Sequence, residues 1–112
     1  MGENMVARFL RKNGCTLIKR NFQTRFGEID MIAETQEYIL FVEVKIREED
    51  TVVPIEEVVD ARKRKRMLLA AERFLTLYHT ELCPRFDVAL VTAQPGEDGS
   101  ETYRLRYIKN AF

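Results

Sequence analysis

Two acidic residues and a lysine interrupt the most hydrophobic segments of the sequence. Asp30 lies in the run GEIDMIA, and Glu43 and Lys45 lie in the run FVEVK. Two carboxylates about 4 Å apart repel by about 4 kcal/mol at an effective dielectric constant near 20, so they need a counter-charge. Lys45 can neutralise one carboxylate, whereas a divalent cation such as Mg²⁺ or Mn²⁺ can neutralise both. These residue types indicate an ion pair or a metal centre.

Neighbouring strands must bring the two acids together. Hydrophobic alternation predicts strands at 27–34 and 38–46, and the link between them is short enough for an antiparallel hairpin. A two-residue turn in that link would place Asp30 opposite Glu43, with their Cβ atoms roughly 4.5–5.5 Å apart. A shift of one residue in the register would instead send Asp30 to the other face.

The alternation of strand side chains decides which neighbours share the surface of this acid pair. Glu43 and Lys45 point the same way. Glu28 shares the face of Asp30 and is either an outer ligand or an exposed residue. The backbone carbonyl of Val44 could add a further metal-binding oxygen.

The remaining pattern predicts one α/β domain over residues 1–112. Helical spacing of apolar residues predicts two helices, and alternation predicts three further strands. The helices are expected at 3–13 and 55–78, and the strands at 15–22, 85–92 and 103–108, with a charged loop at 47–53 and a turn at 94–102. The order αβββαββ predicts a mixed sheet of about five strands flanked by helices.

Composition excludes several classes of protein. The chain is 46% hydrophobic and 32% charged, which is the balance of a folded domain rather than a disordered one. Neither a segment of about 20 apolar residues nor a signal peptide is evident, so we expect a cytoplasmic protein without a membrane partner. His79 is the only histidine, which argues against Ser/His/Asp or Cys/His catalysis.

The positive charges have a local rather than a global pattern. Lysine and arginine together number 18, as do aspartate and glutamate, so the net charge is zero. Five consecutive cations nevertheless occur in the second predicted helix, and Arg47 extends the basic line of the preceding strand. A solvated helix face explains such a run, but so does contact with nucleic-acid phosphates. The five residues are Arg62, Lys63, Arg64, Lys65 and Arg66.

Four motifs resemble those of the YraN family, bacterial proteins of uncertain function assigned to the restriction-endonuclease-like fold. They are GEIDMIA, FVEVK, RFDV at 85–88 and NAF at 110–112, and the resemblance covers nearly the whole chain. An Asp followed about a dozen residues later by Glu-Val-Lys is also the arrangement of PD-(D/E)xK nucleases. Archaeal Holliday-junction resolvases, which are homodimeric and metal-dependent, carry similar blocks.

The resemblance implies a role for individual residues. Asp30 and Glu43 would bind the metal, and Lys45 would be the motif lysine that positions water or stabilises the transition state. Glu3 matches a glutamate that these families place on the first helix, although an acid at a helix start is also favoured by the helix dipole. Lys63 matches a lysine common on the second helix.

The expected function is Mg²⁺-dependent or Mn²⁺-dependent cleavage of DNA, with branched or structured DNA as a candidate substrate. The alternative is a catalytically inert nucleic-acid-binding module that acts with a DNA-processing partner. A third alternative is a purely structural or protein-interaction domain. A homodimer could form through an exposed strand edge or the apolar C-terminal segment YIKNAF.

Overall fold

Three helices and five strands make up the part of the chain that the computed structural model describes, residues 2–48 and 54–112. The helices are α1 (Gly2–Lys12), α2 (Ile55–Val58) and α3 (Ala61–Leu77). The strands are β1 (Thr16–Gln23), β2 (Glu28–Glu34), β3 (Tyr38–Glu48), β4 (Cys83–Pro95) and β5 (Glu101–Ile108). None of the helices in these two ranges is long and apolar enough to cross a membrane.

The five strands form one mixed sheet whose spatial order follows the chain, β1-β2-β3-β4-β5. Three of the four strand pairs are antiparallel, and β3 and β4 are parallel. A parallel pair needs a crossover connection, which α3 provides. The predicted fold class, a mixed five-stranded sheet flanked by helices, is confirmed.

The sheet lies between α1 on one face and α3 on the other. Val6 and Leu10 of α1 pack in one buried cluster with Leu40 and Val42. Phe74 of α3 packs in a second cluster, with Ile39 and Phe41 from the opposite face of β3. Because both faces of β3 are covered, its first half is an uninterrupted hydrophobic run. Glu43 continues the row of Ile39 and Phe41 and therefore lies on the α3 face.

The predicted helix at 55–78 is in fact two helices. Asp60 has an extended backbone and caps α3, since its Oδ1 accepts a hydrogen bond of 2.9 Å from the backbone N–H of Lys63. Aspartate favours this capping position, and its competition with the helical backbone explains the break. The break sets the rotational phase of α3 and hence the direction of its cations.

The other boundaries differ by a few residues. β3 includes Arg47 and Glu48, which were predicted to lie in a loop, and residues 49–53 of that loop lie outside the described ranges. The predicted turn at 94–102 is narrower, because Pro95 pairs with Glu101 and extends both strands.

Candidate active site

The register of β2 and β3 is the predicted one. Their ladder pairs Met31 with Val42 at one end and Glu34 with Ile39 at the other. One step beyond Met31 and Val42, the same register places Asp30 opposite Glu43. The two carboxyl groups are within hydrogen-bonding reach of each other, on the face that α3 covers.

Beyond the last backbone pair of this ladder, the Asp30 carboxylate is the hydrogen-bond acceptor for β3. Its Oδ2 accepts a hydrogen bond of 2.7 Å from the backbone N–H of Val44. The N–H and C=O groups of one strand residue point to the same edge, so the Val44 carbonyl also faces the side of β2. Asp30, Glu43 and Val44 thus bring two carboxylates and one backbone carbonyl to one point of the sheet.

A lysine from α3 forms an ion pair with one of the two acids. The Nζ atom of Lys63 lies 2.9 Å from Oε2 of Glu43, whose side chain is only 9% exposed. Lys45 is on the same strand face but is exposed, and its side chain forms no hydrogen bond or ion pair with any residue in 2–48 or 54–112. The ion pair that the sequence suggested for Lys45 is therefore made by Lys63.

Burial and proximity shift the protonation of both partners. Burial, and then the hydrogen bond with Glu43, raise the pKa of Asp30 to about 7, against the opposing effects of the Val44 N–H and Lys63. The hydrogen bond to Glu43 raises the pKa of Lys63 above its usual value. The acid pair therefore retains a proton at a higher pH than an isolated aspartate would. A proton and an ammonium group together offset the charge of the two carboxylates.

The C-terminal NAF motif fixes the start of α3 and so the position of Lys63. The Ala111 N–H donates to the carbonyl of Phe86 at 2.7 Å, and the ring of Phe112 stacks on that of Phe86 with centroids 5.1 Å apart. The guanidinium of Arg64 lies 6.0 Å above the Phe112 ring, and its Nε donates to the Val59 carbonyl at 3.3 Å.

Glu3 lies on α1, on the opposite side of the sheet from α3 and Lys63. α1 covers the opposite face of the sheet, where a Cβ atom on Gly2 would lie only 2.5 Å from Cδ1 of Ile46. Over the residues that the structure describes, there is no group of three or more His, Cys, Asp or Glu side chains placed to hold a metal. Glu3 therefore does not complete such a group with Asp30 and Glu43.

Sequence comparison assigns the chain to a family. The model of the uncharacterised protein family UPF0102 matches residues 2–91, which contain both acidic motifs. The chain belongs to the UPF0102 family. This family is the YraN family, so the resemblance noted in the sequence is confirmed.

Individual UPF0102 proteins match over nearly the whole of this chain and most of their own length. The UPF0102 protein of Symbiobacterium thermophilum is 41% identical over 112 residues, which cover 99% of this chain and 92% of that protein. The protein of Herminiimonas arsenicoxydans is 38% identical over 100% of this chain and 83% of its own length. The protein of Clostridium acetobutylicum is 37% identical over 99% of this chain and 89% of its own.

The five consecutive cations of this UPF0102 chain point in different directions. Successive residues of an α-helix are about 100° apart, so five neighbours cannot share one face. Lys63 contacts Glu43, Arg64 lies over Phe112, and the other three, Arg62, Lys65 and Arg66, are exposed. Arg47, on the strand face of Lys45, is half-buried. Arg62, Lys65 and Arg66 therefore face solvent.

A second buried acid, Asp87 in the RFDV motif, was missed by sequence reasoning. It is fully buried, and four donors satisfy it. They are Nε and Nη2 of Arg85, both at 2.9 Å, the Tyr107 hydroxyl at 2.7 Å and the Asn110 N–H at 2.9 Å. Burial and the bond to Asp87 raise the pKa of Tyr107.

The sequence signal that could have indicated this buried acid is an Arg and an Asp two residues apart on one strand. With its oxygens fully bonded, Asp87 is a structural residue.

Proposed function

We propose that this UPF0102 protein is a nuclease that uses Mg²⁺ or Mn²⁺ to hydrolyse phosphodiester bonds in DNA. The observation that carries the proposal is the meeting of Asp30 and Glu43 where the β2–β3 ladder ends, beside the ammonium group of Lys63. Two like charges in a half-buried position are unfavourable without a cation, and here a proton and a lysine take that place.

The donor set fits a hard divalent cation. Mg²⁺ is usually held by one or two carboxylates and keeps its other positions for water and substrate phosphate oxygens. Asp30 and Glu43 would supply the carboxylates, and Val44 would supply a backbone carbonyl. The cation, when bound, would lower the pKa of a water molecule and offset charge on the phosphate.

The side chains around the pair would bind and orient the DNA. Once a cation balances Glu43, the ammonium of Lys63 is free to contact a phosphate oxygen at the same point. Lys45 is exposed on the same strand face and would orient water or stabilise the charge that develops on the phosphate. Arg62, Lys65 and Arg66 would contact flanking phosphates, which gives affinity without sequence specificity. The protein would therefore recognise the shape of the DNA rather than its sequence.

One observation favours a second candidate, a nucleic-acid-binding module with an inert acid pair that acts with a DNA-processing partner. Lys63 already occupies Glu43, and within residues 2–48 and 54–112 no third acid completes the pair. A site whose charges are balanced from within has less need of a metal. Binding without cleavage would then be the whole activity of the domain.

Cleavage assays separate the two candidates. The purified protein is incubated with Mg²⁺ or Mn²⁺ and labelled linear, flapped or four-way-junction DNA, and DNA binding is measured separately in EDTA. The nuclease proposal predicts cleavage that falls about 100-fold or more in Asp30→Asn, Glu43→Gln and Lys45→Met. The variant Glu81→Gln, which changes an exposed acid away from the site, serves as the control.

The results divide cleanly. Salt-sensitive binding without cleavage of any substrate would favour the binding module. Cleavage that persists equally in Asp30→Asn and Glu43→Gln would contradict the assigned site. The absence of salt-sensitive DNA binding would exclude both candidates and favour the structural or protein-interaction domain.

A further inference from the structure

Phe26 is held out into solvent by a rigid turn. Its side chain is 60% exposed at the tip of the connection between β1 and β2. Thr24 organises this turn, since its Oγ1 accepts hydrogen bonds of 3.1 Å from the N–H groups of Phe26 and Gly27, and its own N–H donates to the Gly27 carbonyl at 2.8 Å. Burying a phenylalanine is worth about 1.5–3 kcal/mol, and Phe26 forgoes much of that stabilisation here.

The turn is packed against the backbone of α3. A Cβ atom on Gly27 would lie 2.5 Å from the carbonyl oxygen of Arg66, an approach that only glycine permits. An open groove of about 350 Å³ lies between the turn and the helix, which we term the turn groove. Its lining includes Arg25, Phe26, Glu28, Lys63 and Arg66.

The turn groove combines positive charge with an exposed aromatic ring. Arg25, Lys63 and Arg66 outnumber its single acid, Glu28, and the guanidinium of Arg25 lies 5.9 Å from the centroid of the Phe26 ring. Cations that contact phosphates around an aromatic ring that stacks on a base are the usual means of binding single-stranded nucleic acid. A protein partner that only covered the ring would leave these cations unmatched.

One residue, Lys63, links the turn groove to the acid pair. Lys63 lines the groove and also contacts Glu43. A strand lying in the groove would therefore lead directly to the carboxylates. In a duplex the bases already stack on one another, so an unpaired base can stack on the ring of Phe26 without the cost of separating two base pairs.

We propose that the turn groove binds an unpaired nucleotide of DNA, with its base stacked on Phe26 and its flanking phosphates on Arg25 and Arg66. The nucleotide then sets the position of a single strand or flap relative to Asp30 and Glu43. The binding step stands alone, and only the cleavage of that strand rests on the proposed function.

Binding measured without metal tests the groove separately from catalysis. Fluorescence anisotropy in EDTA compares a labelled single-stranded oligodeoxynucleotide with its duplex over a series of salt concentrations. Stacking of one base on an aromatic side chain is worth about 1–3 kcal/mol, so Phe26→Ala should weaken single-strand binding by about 5-fold to 150-fold. Duplex binding should change by less than about twofold, and Phe26→Tyr should retain the affinity.

Two control variants match this design. Leu68 is also an exposed apolar residue, 48% exposed, and lies one turn beyond Arg64 on the other side of α3. Leu68→Ala should leave binding unchanged. Arg66→Gln should reduce the dependence of log affinity on log salt by about 0.7 for a single strand, and by more than Lys65→Gln does.

Each result bears on the proposal in a defined way. Equal single-strand binding by Phe26→Ala and wild type would overturn it, and so would an equal loss for duplex. If Phe26→Ala instead dissociates a dimer in sedimentation experiments with no loss of single-strand binding, the ring belongs to a contact between copies of the chain, and the proposal is wrong. Loss of single-strand binding in Phe26→Ala, together with no cleavage of any DNA by wild type, would retain the groove and reject the nuclease.

Discussion

The ammonium group of Lys63 lies 2.9 Å from a carboxylate oxygen of Glu43, which joins the first turn of α3 to the middle of β3. Asp30 faces the same carboxylate from β2. Three elements that are separate in sequence therefore meet at one charged point. The charge state of that point and the docking of α3 depend on each other.

Loss of the lysine should destabilise the fold. Lys63→Met leaves the buried Glu43 without its partner, which we expect to lower the free energy of unfolding by about 1–3 kcal/mol. The effect is smaller than for a fully buried pair because the Lys63 side chain is 38% exposed. Chemical denaturation monitored by circular dichroism measures it.

A neighbouring lysine provides the matched control for this measurement. Lys65 is exposed, and Lys65→Met should change stability by less than about 0.5 kcal/mol. Combining Lys63→Met with Glu43→Gln should restore part of the loss, because no uncompensated charge is then buried. Equal losses for the two lysine variants would mean that the ion pair does not contribute.

The acid pair should make stability depend on pH. The pKa of Asp30 is raised from 3.8 to about 7 in the folded protein. The folded state therefore binds more protons than the unfolded state between about pH 4 and pH 7, and stability falls as pH rises through this window. Solvent screening of a partly exposed group reduces the loss to about 1–2 kcal/mol.

The variant Asp30→Asn isolates this contribution. Asparagine does not titrate, yet its side-chain oxygen can still accept the Val44 N–H. The difference in unfolding free energy between wild type and Asp30→Asn should change steadily from pH 4 to pH 8 and level off at either end. A constant difference across this range would show that the pKa of Asp30 is not raised.

A divalent cation should stabilise the folded protein. Mn²⁺ or Mg²⁺ that binds Asp30 and Glu43 only in the native state raises the melting temperature by mass action, by about 3 °C or more at saturation. The rise should be larger at pH 8 than at pH 6, because the metal displaces the proton on Asp30. Differential scanning fluorimetry at constant ionic strength measures both effects.

The metal effect also has a matched control. Asp30→Asn and Glu43→Gln should remove the rise in melting temperature, while Glu81→Gln should keep it. This experiment does not require cleavage. It therefore tests metal binding even if the protein binds DNA without cleaving it. An equal rise in all four proteins would place the metal elsewhere.

Two tyrosines of β5 allow a comparison of buried and exposed hydrogen bonds. Tyr107 donates to the buried Asp87 at 2.7 Å, and Tyr103 donates to the exposed Glu101 at 3.0 Å. Tyr107→Phe should cost about 1–3 kcal/mol of stability, because it removes a donor from a buried charge. Tyr103→Phe should cost less than about 0.5 kcal/mol. Urea denaturation of both variants measures the difference, and similar losses would contradict the structural role given to Asp87.

The acid pair could be predicted from sequence because it depends on local features. A short link and a clear alternation of hydrophobic residues define the β2–β3 register, and the register alone places Asp30 opposite Glu43. The identity of the counter-charge could not be predicted in this way. It depends on the break at Asp60, which sets the direction in which each of the five cations points.

Tertiary arrangement accounts for the other differences. Nothing in the amphipathic pattern of α1 indicates which face of the sheet it covers, and that choice places Glu3 on the helix opposite α3. The bonds to Asp87 come from β4, β5 and the C-terminal turn, so no single stretch of sequence contains them. A role for Phe26 could not be predicted from sequence, because its place beside Lys63 and Arg66 is visible only in the folded structure.

The parallel pairing of β3 and β4 has a consequence for the order of folding. The β2–β3 hairpin closes over a few residues. Lys63 reaches Glu43 only after the crossover between β3 and β4 has formed and α3 has packed on the sheet. Local contacts form faster than distant ones, so we expect the hairpin to meet the repulsion of its own carboxylates first. The docking of α3, a late step in folding, then relieves the repulsion between carboxylates that the early hairpin creates.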